Sequence, residues 1–190
     1  MAAKSNLINM SLCLTAVCLV CAALLGGVYA LTYQPIQDAS AKALKASIGL
    51  VLPQGGEISE AKTCEMDGVK YEFYENSENG AVTAYAVKSA TNGFGGQLLL
   101  MVGVLADGTV FNTSVLSHSE TPGLGAKCNQ DEAFMSQWRG FSPDKKIAVR
   151  KDGGDVDAIT ASTITSRAYA LAVSNAVNLV KSFNKEEVRK

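Results

Sequence analysis

The sequence predicts an α+β protein: a single N-terminal transmembrane helix followed by one domain with a mainly antiparallel sheet flanked by helices. Three observations carry that reading. A charge-free apolar stretch fills residues 7–31. The middle of the chain holds short apolar or alternating runs, punctuated by Asn-Gly and Asp-Gly dipeptides. Residues 165–183 repeat apolar positions at helical spacing.

The apolar stretch comes first. No charged residue stands between Ser5 and Gln37. A helix needs roughly 20 apolar residues to cross a hydrocarbon core of about 30 Å, and this run is long enough. Lys4 precedes it, and Asp38, Lys42 and Lys45 follow. That charge bias gives a soft preference for a cytoplasmic N-terminus. Tyr29 and Tyr33 stand where an interfacial aromatic belt would stand. A cleaved signal peptide is the rival reading, but its apolar region spans about 7–15 residues, shorter than this one. Val28-Tyr29-Ala30 could pass as a weak cleavage site at its end. A retained anchor is expected, and either reading places residues from 34 onward outside the cytoplasm. The expected division is an anchor at 1–33, a linker helix and turn at 34–58, and an extracytoplasmic domain at 59–190.

Residues 37–50 have helical composition, with Leu44 and Ile48 four apart and Ala41 three before Leu44. Pro53-Gln54-Gly55-Gly56 then breaks the chain. Strands are expected at 69–74 and, after Asn79-Gly80, at 81–87. Residues 98–105 form a continuous apolar run, as a strand buried on both faces would. Asp107-Gly108 turns it into a hairpin partner at 109–116. A Gly/Pro-rich loop follows at 117–127, then a short helix near 131–138. One or two strands are expected over 146–150 and 155–159, around Asp152-Gly153-Gly154. The final helix presents Ala168, Leu171, Ala172, Ala176, Leu179, Val180 and Phe183 to a core.

Composition excludes several function classes. Seventeen basic and 18 acidic residues leave a net charge of −1, without the basic face that nucleic acid requires. His118 is the only histidine. No Cys/His/carboxylate set suggests a metal site, and no Ser-His-Asp arrangement is defensible. Of five cysteines, Cys13, Cys18 and Cys21 lie in the apolar run as small fillers. Cys64 and Cys128 could pair in an oxidising compartment, and their separation in sequence does not decide it.

Three segments carry candidate chemistry. Residues 160–166 read T-A-S-T-I-T-S, between an expected strand and the long helix. One helix cap needs one hydroxyl, and five of these seven residues bear one. A helix N-terminus offers free N–H donors and about half a positive charge to a phosphate. Residues 117–125 read S-H-S-E-T-P-G-L-G, a bare backbone loop that a planar ligand can approach closely. Gly93-Phe94-Gly95-Gly96 lacks the spacing of a dinucleotide fingerprint and reads alone as a turn.

Together these segments resemble the FMN-binding domain family shared by the G subunit of Rnf complexes and the C subunit of sodium-pumping NADH:quinone oxidoreductases. The matching residues are G-F-G-G at 93–96, D-G at 107–108, H-S-E-T-P-G-L-G at 118–125 and D-A-I-T-A-S-T-I-T-S at 157–166. Anchor, outer domain and terminal motif stand in the family's order, and the short length resembles the Rnf protein. In that family FMN forms a phosphoester with a threonine in S/T-G-A-T-x-S/T. The resemblance places that threonine at Thr163, with Thr160 at the first position and Thr165 at the closing hydroxyl. Ala161-Ser162 replaces the family's Gly-Ala, which puts a competing hydroxyl beside Thr163. Asp157 matches the acidic residue a flavin transferase requires. The resemblance further implies ring contacts from Glu120, Thr121, Gly123, Leu124 and Gly125, with Gly95 and Gly96 nearby. It implies phosphate contacts from Thr165 and Ser166.

The implied function is electron transfer within a membrane-bound, ion-translocating oxidoreductase of the Rnf ferredoxin:NAD type. The chain would be a relay rather than a complete enzyme, with other membrane subunits as partners and a flavin transferase for maturation. Its soluble domain would face the periplasmic side of a bacterial inner membrane. The alternatives are a flavin-free scaffold subunit of such a complex, or an exported FMN-binding reductase released by signal cleavage.

Overall fold

The structure is a computed structural model, and it describes residues 7–66 and 68–187, with side chains described as far as Phe183. The chain divides into two compact units, Met1–Ala43 and Leu44–Lys190. The described residues of the first belong to helix α1 (Leu7–Val51), whose last turns fall in the second. Its most apolar 18-residue window has a mean hydropathy of 2.3, so by length and composition α1 can cross a membrane. Pro35 lies inside one continuous helix, where it removes a single backbone donor without ending the segment.

The second unit is a sheet between two helical layers. Strands β1 (Glu57–Ile58) and β2 (Lys62–Met66) both pair with β3 (Val69–Glu78). From there β4 (Ala81–Asn92), β5 (Gln97–Leu105) and β6 (Val110–His118) continue as neighbours, every pairing antiparallel. β1 and β2 were not anticipated because Lys62-Thr63-Cys64-Glu65-Met66 at an exposed edge carries no apolar alternation. β5 meets its expectation: Leu98, Leu100, Val102 and Val104 face one side, Met101 and Gly103 the other, and all are buried.

Each face has its own cover. The end of α1 lays Ile48 and Val51, with Leu52 just after it, against Tyr74, Ala84, Ala86 and Met101. Gly103 makes that approach possible, because a Cβ there would run into the Val51 carbonyl. The opposite face packs against α3 (Thr163–Glu187). Tyr169, Ala172, Val173, Ala176, Val177 and Val180 form its buried stripe. Each buried valine or leucine stabilises the fold by about 1.5–3 kcal/mol. Leu171, expected on that stripe, points outward and is 55% exposed, since the i, i+4 row through Tyr169 is the one that meets the sheet. Trp138 closes the core, stacked on Tyr169 at 5.2 Å.

Between the sheet and α3 the chain makes a 3-10 turn at Gly125–Asn129 and the short helix α2 (Glu132–Ser136). Asp131 caps α2 by accepting from Ala133 N and Phe134 N. The strands expected at 146–150 and 155–159 do not form. A 3-10 turn at Arg150–Asp152 and a single parallel bridge between Val149 and Val156 stand there instead. Lysines, arginine and aspartates dominate this stretch, leaving too few apolar side chains to hold a second ladder. Cys64 and Cys128 are separate free thiols, and burial pushes the Cys64 thiol up.

Gly103→Ala should lower stability by about 1–3 kcal/mol through overpacking against the Val51 backbone. The readout is the denaturant midpoint followed by fluorescence of Trp138, the only tryptophan. An unchanged midpoint would show that the α1 end does not depend on this close approach.

Candidate functional site

Three loops separated by up to about 70 residues of sequence meet at one pocket. The first is the turn at 93–96 joining β4 to β5, closed by Gly93 N donating to Gly96 O at 2.8 Å. The second leaves β6 at His118. The third enters α3, where Ile159 O accepts from Ser162 N at 3.0 Å and Ser162 O from Ser166 N at 3.0 Å. The pocket has a volume of about 360 Å³ and is lined by Phe94, Glu120, Thr121, Leu124, Gly125 and residues 161–165. Small-molecule sites run to about 300–1,000 Å³.

Glu120 ties the three loops together. It is only 6% exposed. Its Oε2 accepts from Thr165 Oγ1 at 2.8 Å and its Oε1 from Gly95 N at 3.4 Å. Its own N–H donates to His118 Nδ1 at 3.2 Å. Space for the carboxylate is reserved by glycine: a Cβ at Gly93 or Gly125 would collide with its oxygens, and one at Gly95 with the Ser119 carbonyl. Among the described residues no cation pairs with it. Nearby Cys128 is fully buried, and burial, with the charge of Glu120 adding to it, pushes its thiol up to about 11. That cysteine is a core residue and not a nucleophile.

The start of α3 is arranged for an anion. Thr163 is the first helical residue, and no acidic side chain stands in the first turn. The N–H groups of residues 163–165 have no acceptor among the described residues, as the opening of a helix dictates. Ser162 is among the residues lining the pocket and is 7% exposed, and its buried hydroxyl has no partner among the described residues. A buried hydroxyl left unpaired costs about 1–3 kcal/mol, which an acceptor in the pocket would return. Thr163 is half-buried on the same wall.

The remaining expected residues divide clearly. Glu120, Thr121, Leu124, Gly125, Ser162, Thr163 and Thr165 share the pocket wall. Gly95 and Gly96 stand behind it, supporting Glu120 and Ser119. Gly123 and Thr160 are exposed outside the lining. The hydroxyls of Thr165 and Ser166, expected at a phosphate, are engaged within the protein. Thr165 donates to Glu120, while Ser166 donates to Ser162 O and accepts from Ile159 N. Asp157 is on the surface, paired with Arg150 and held by Gln137, which accepts from its N–H and donates to its carbonyl. Sequence reasoning missed Phe94 and Ile164. Both line the pocket yet are 70% and 50% exposed, and an apolar side chain left in water beside a pocket is their only signal.

Ala161 takes φ +61°, in the left-handed region where a Cβ costs about 1–2 kcal/mol. This is the position at which the resembled motif carries glycine.

Residues 93–178 match the FMN-binding domain family. The chain is 35% identical over 175 residues to the G subunit of the ion-translocating oxidoreductase complex of Vibrio cholerae serotype O1, covering 83% of this chain and 82% of that protein. The protein of the same name from Pasteurella multocida is 33% identical over 191 residues, covering 91% and 93%. The G subunit of the proton-translocating ferredoxin:NAD(+) oxidoreductase complex of Clostridium ljungdahlii is 35% identical over 116 residues, covering 60% and 62%.

Ala161→Gly should raise stability by about 1 kcal/mol, the relief of a strained Cβ less the added freedom of the unfolded chain. Thermal unfolding checks it, and a lower melting temperature would mean that the methyl group makes a contact outweighing the strain.

Proposed function

This chain belongs to the G-subunit family of ion-translocating oxidoreductase complexes, and we propose that it relays electrons in such a complex through FMN esterified to Thr163. The observation that carries the reading is the single pocket that Ser162 and Thr163, at the opening of α3, line together with Leu124 and Phe94.

The residues present fit the group. The unpaired Ser162 hydroxyl and the free N–H groups opening α3 would hold the phosphate. Phe94, Leu124 and Ile164 would cover the ring and exclude water. Bound FMN supplies the redox chemistry, while the protein supplies position and electrostatics. The chain's residues need move no proton for that role.

The ester explains why a hydroxyl at this point matters. Thr163 Oγ would carry the ester, formed by transfer of FMN from FAD with AMP as the leaving group and the hydroxyl proton taken by the transferase. Asp157 is exposed on the surface, open to recognition by that enzyme. Outside the cytoplasm lost cofactor is not readily replaced, so a tether retains it. We place the pocket-bearing unit on the periplasmic side of a bacterial inner membrane, anchored by α1, with other membrane subunits of a ferredoxin:NAD-type complex as its electron donor and acceptor.

Thr163→Val preserves shape and removes the hydroxyl. It should abolish flavin fluorescence of the denatured protein in a gel, whereas Thr163→Ser and Ser162→Ala should retain it. Retained fluorescence in Thr163→Val, lost in Ser162→Ala, would move the ester to Ser162.

A further inference from the structure

We propose that the carboxylate of Glu120 is a fixed negative charge that holds the redox potential of the pocket's cofactor low. The inference rests on the proposed flavin site. Its independent ground is a buried acid that the electron relay itself does not use. Glu120 is 6% exposed, lines the pocket and has no cation beside it among the described residues. Both its oxygens accept hydrogen bonds, from Gly95 N and Thr165 Oγ1. The glycines at 93 and 125 leave room for that carboxylate and for nothing larger beside it.

Among the described residues no cationic side chain pairs with the carboxylate. The 93–96 turn has no titratable side chain, nor do residues 163–166 at the start of α3. On its own loop, His118 is engaged with Glu120 N through Nδ1. The 3-10 turn at Gly125–Asn129 carries two titratable side chains: Lys127, which makes no ion pair with Glu120 among the described residues, and Cys128, whose raised pKa leaves it a neutral thiol. The positive end of α3 partly offsets the carboxylate. Shielded from water, a unit charge acts on the pocket far more strongly than an exposed one, because the local dielectric is low and salt cannot screen it. An electron arriving from a one-electron carrier in a partner subunit meets this repulsion, and the same repulsion favours its departure to the next carrier. No bond to Glu120 forms or breaks in either step. The carboxylate also opposes a phosphate in the same pocket, so free FMN should bind weakly and the Thr163 tether should offset that repulsion.

The test compares Glu120→Gln, which keeps shape and hydrogen-bonding capacity but loses the charge, with Glu120→Asp, which keeps the charge but shortens the reach. Both are made in the full-length, membrane-extracted chain carrying flavin. In a spectroelectrochemical titration Glu120→Gln should increase the reduced-to-oxidised ratio at fixed applied potential by roughly 15-fold for each electron, the effect of a unit charge about 10 Å away at an effective dielectric near 20. Glu120→Asp should stay near the parent value. In the Thr163→Val background, Glu120→Gln should also bind free FMN more tightly. Flavin present with an unshifted potential in Glu120→Gln overturns the inference and leaves Glu120 a structural tie. Equal shifts in both variants overturn it too, since geometry would then be the cause. Absence of flavin from the parent protein is a failure of the site itself, read separately from the potential.

Discussion

Glu120 accepting from Thr165 and Gly95 is the contact on which the pocket depends. It joins the end of one hairpin, the loop after β6 and the first turn of α3 through one side chain. A buried carboxylate is costly unless it is hydrogen-bonded, and the cost here is limited by two donors and by the positive end of a 25-residue helix. Removing one partner would leave the other group unsatisfied, so the arrangement holds or fails as a unit.

The layers around the sheet give that contact something rigid to rest on. α3 is fixed along its length by apolar burial, and near its start by Thr91 Oγ1 donating to Ala168 O at 2.9 Å. Tyr169 adds a hydrogen bond to Thr113 at 2.7 Å and a stack on Trp138. The first turn of α3 is therefore positioned by the core, and Thr163 inherits that position. A site whose attachment point sits on a packed helix rather than on a loop holds its ligand at a defined place, which electron transfer between fixed partners needs. The glycines at 93, 95 and 125 serve the same end by allowing backbone and carboxylate to approach closely.

Much of this was legible in the residues. The apolar run at 98–105 with its Asp-Gly turn announced the central hairpin, and the helical period announced α3, because both rest on patterns set by burial. The convergence of residues 93–96, 118–125 and 157–166 was legible only through resemblance, since no local pattern reports which loops meet. The part played by Glu120 was not legible. In sequence it is one acid in a polar loop, and its burial is decided by strands and a helix elsewhere in the chain. Ala161 is similar: its left-handed backbone follows from the tight entry into α3, which alanine itself does not signal. The strands expected over 146–159 failed for the opposite reason. A Gly-Gly turn suggested a hairpin, but the flanking charges gave it no face to bury.

The account stands most directly on the chemistry at Thr163. The decisive measurement is peptide mass spectrometry of the native, membrane-extracted protein across residues 151–167, from a host with a working flavin transferase. The account predicts a mass gain of one FMN less one water, localised to Thr163. An unmodified peptide would contradict it, and would leave a pocket whose unpaired hydroxyl and open helix end serve some other anion.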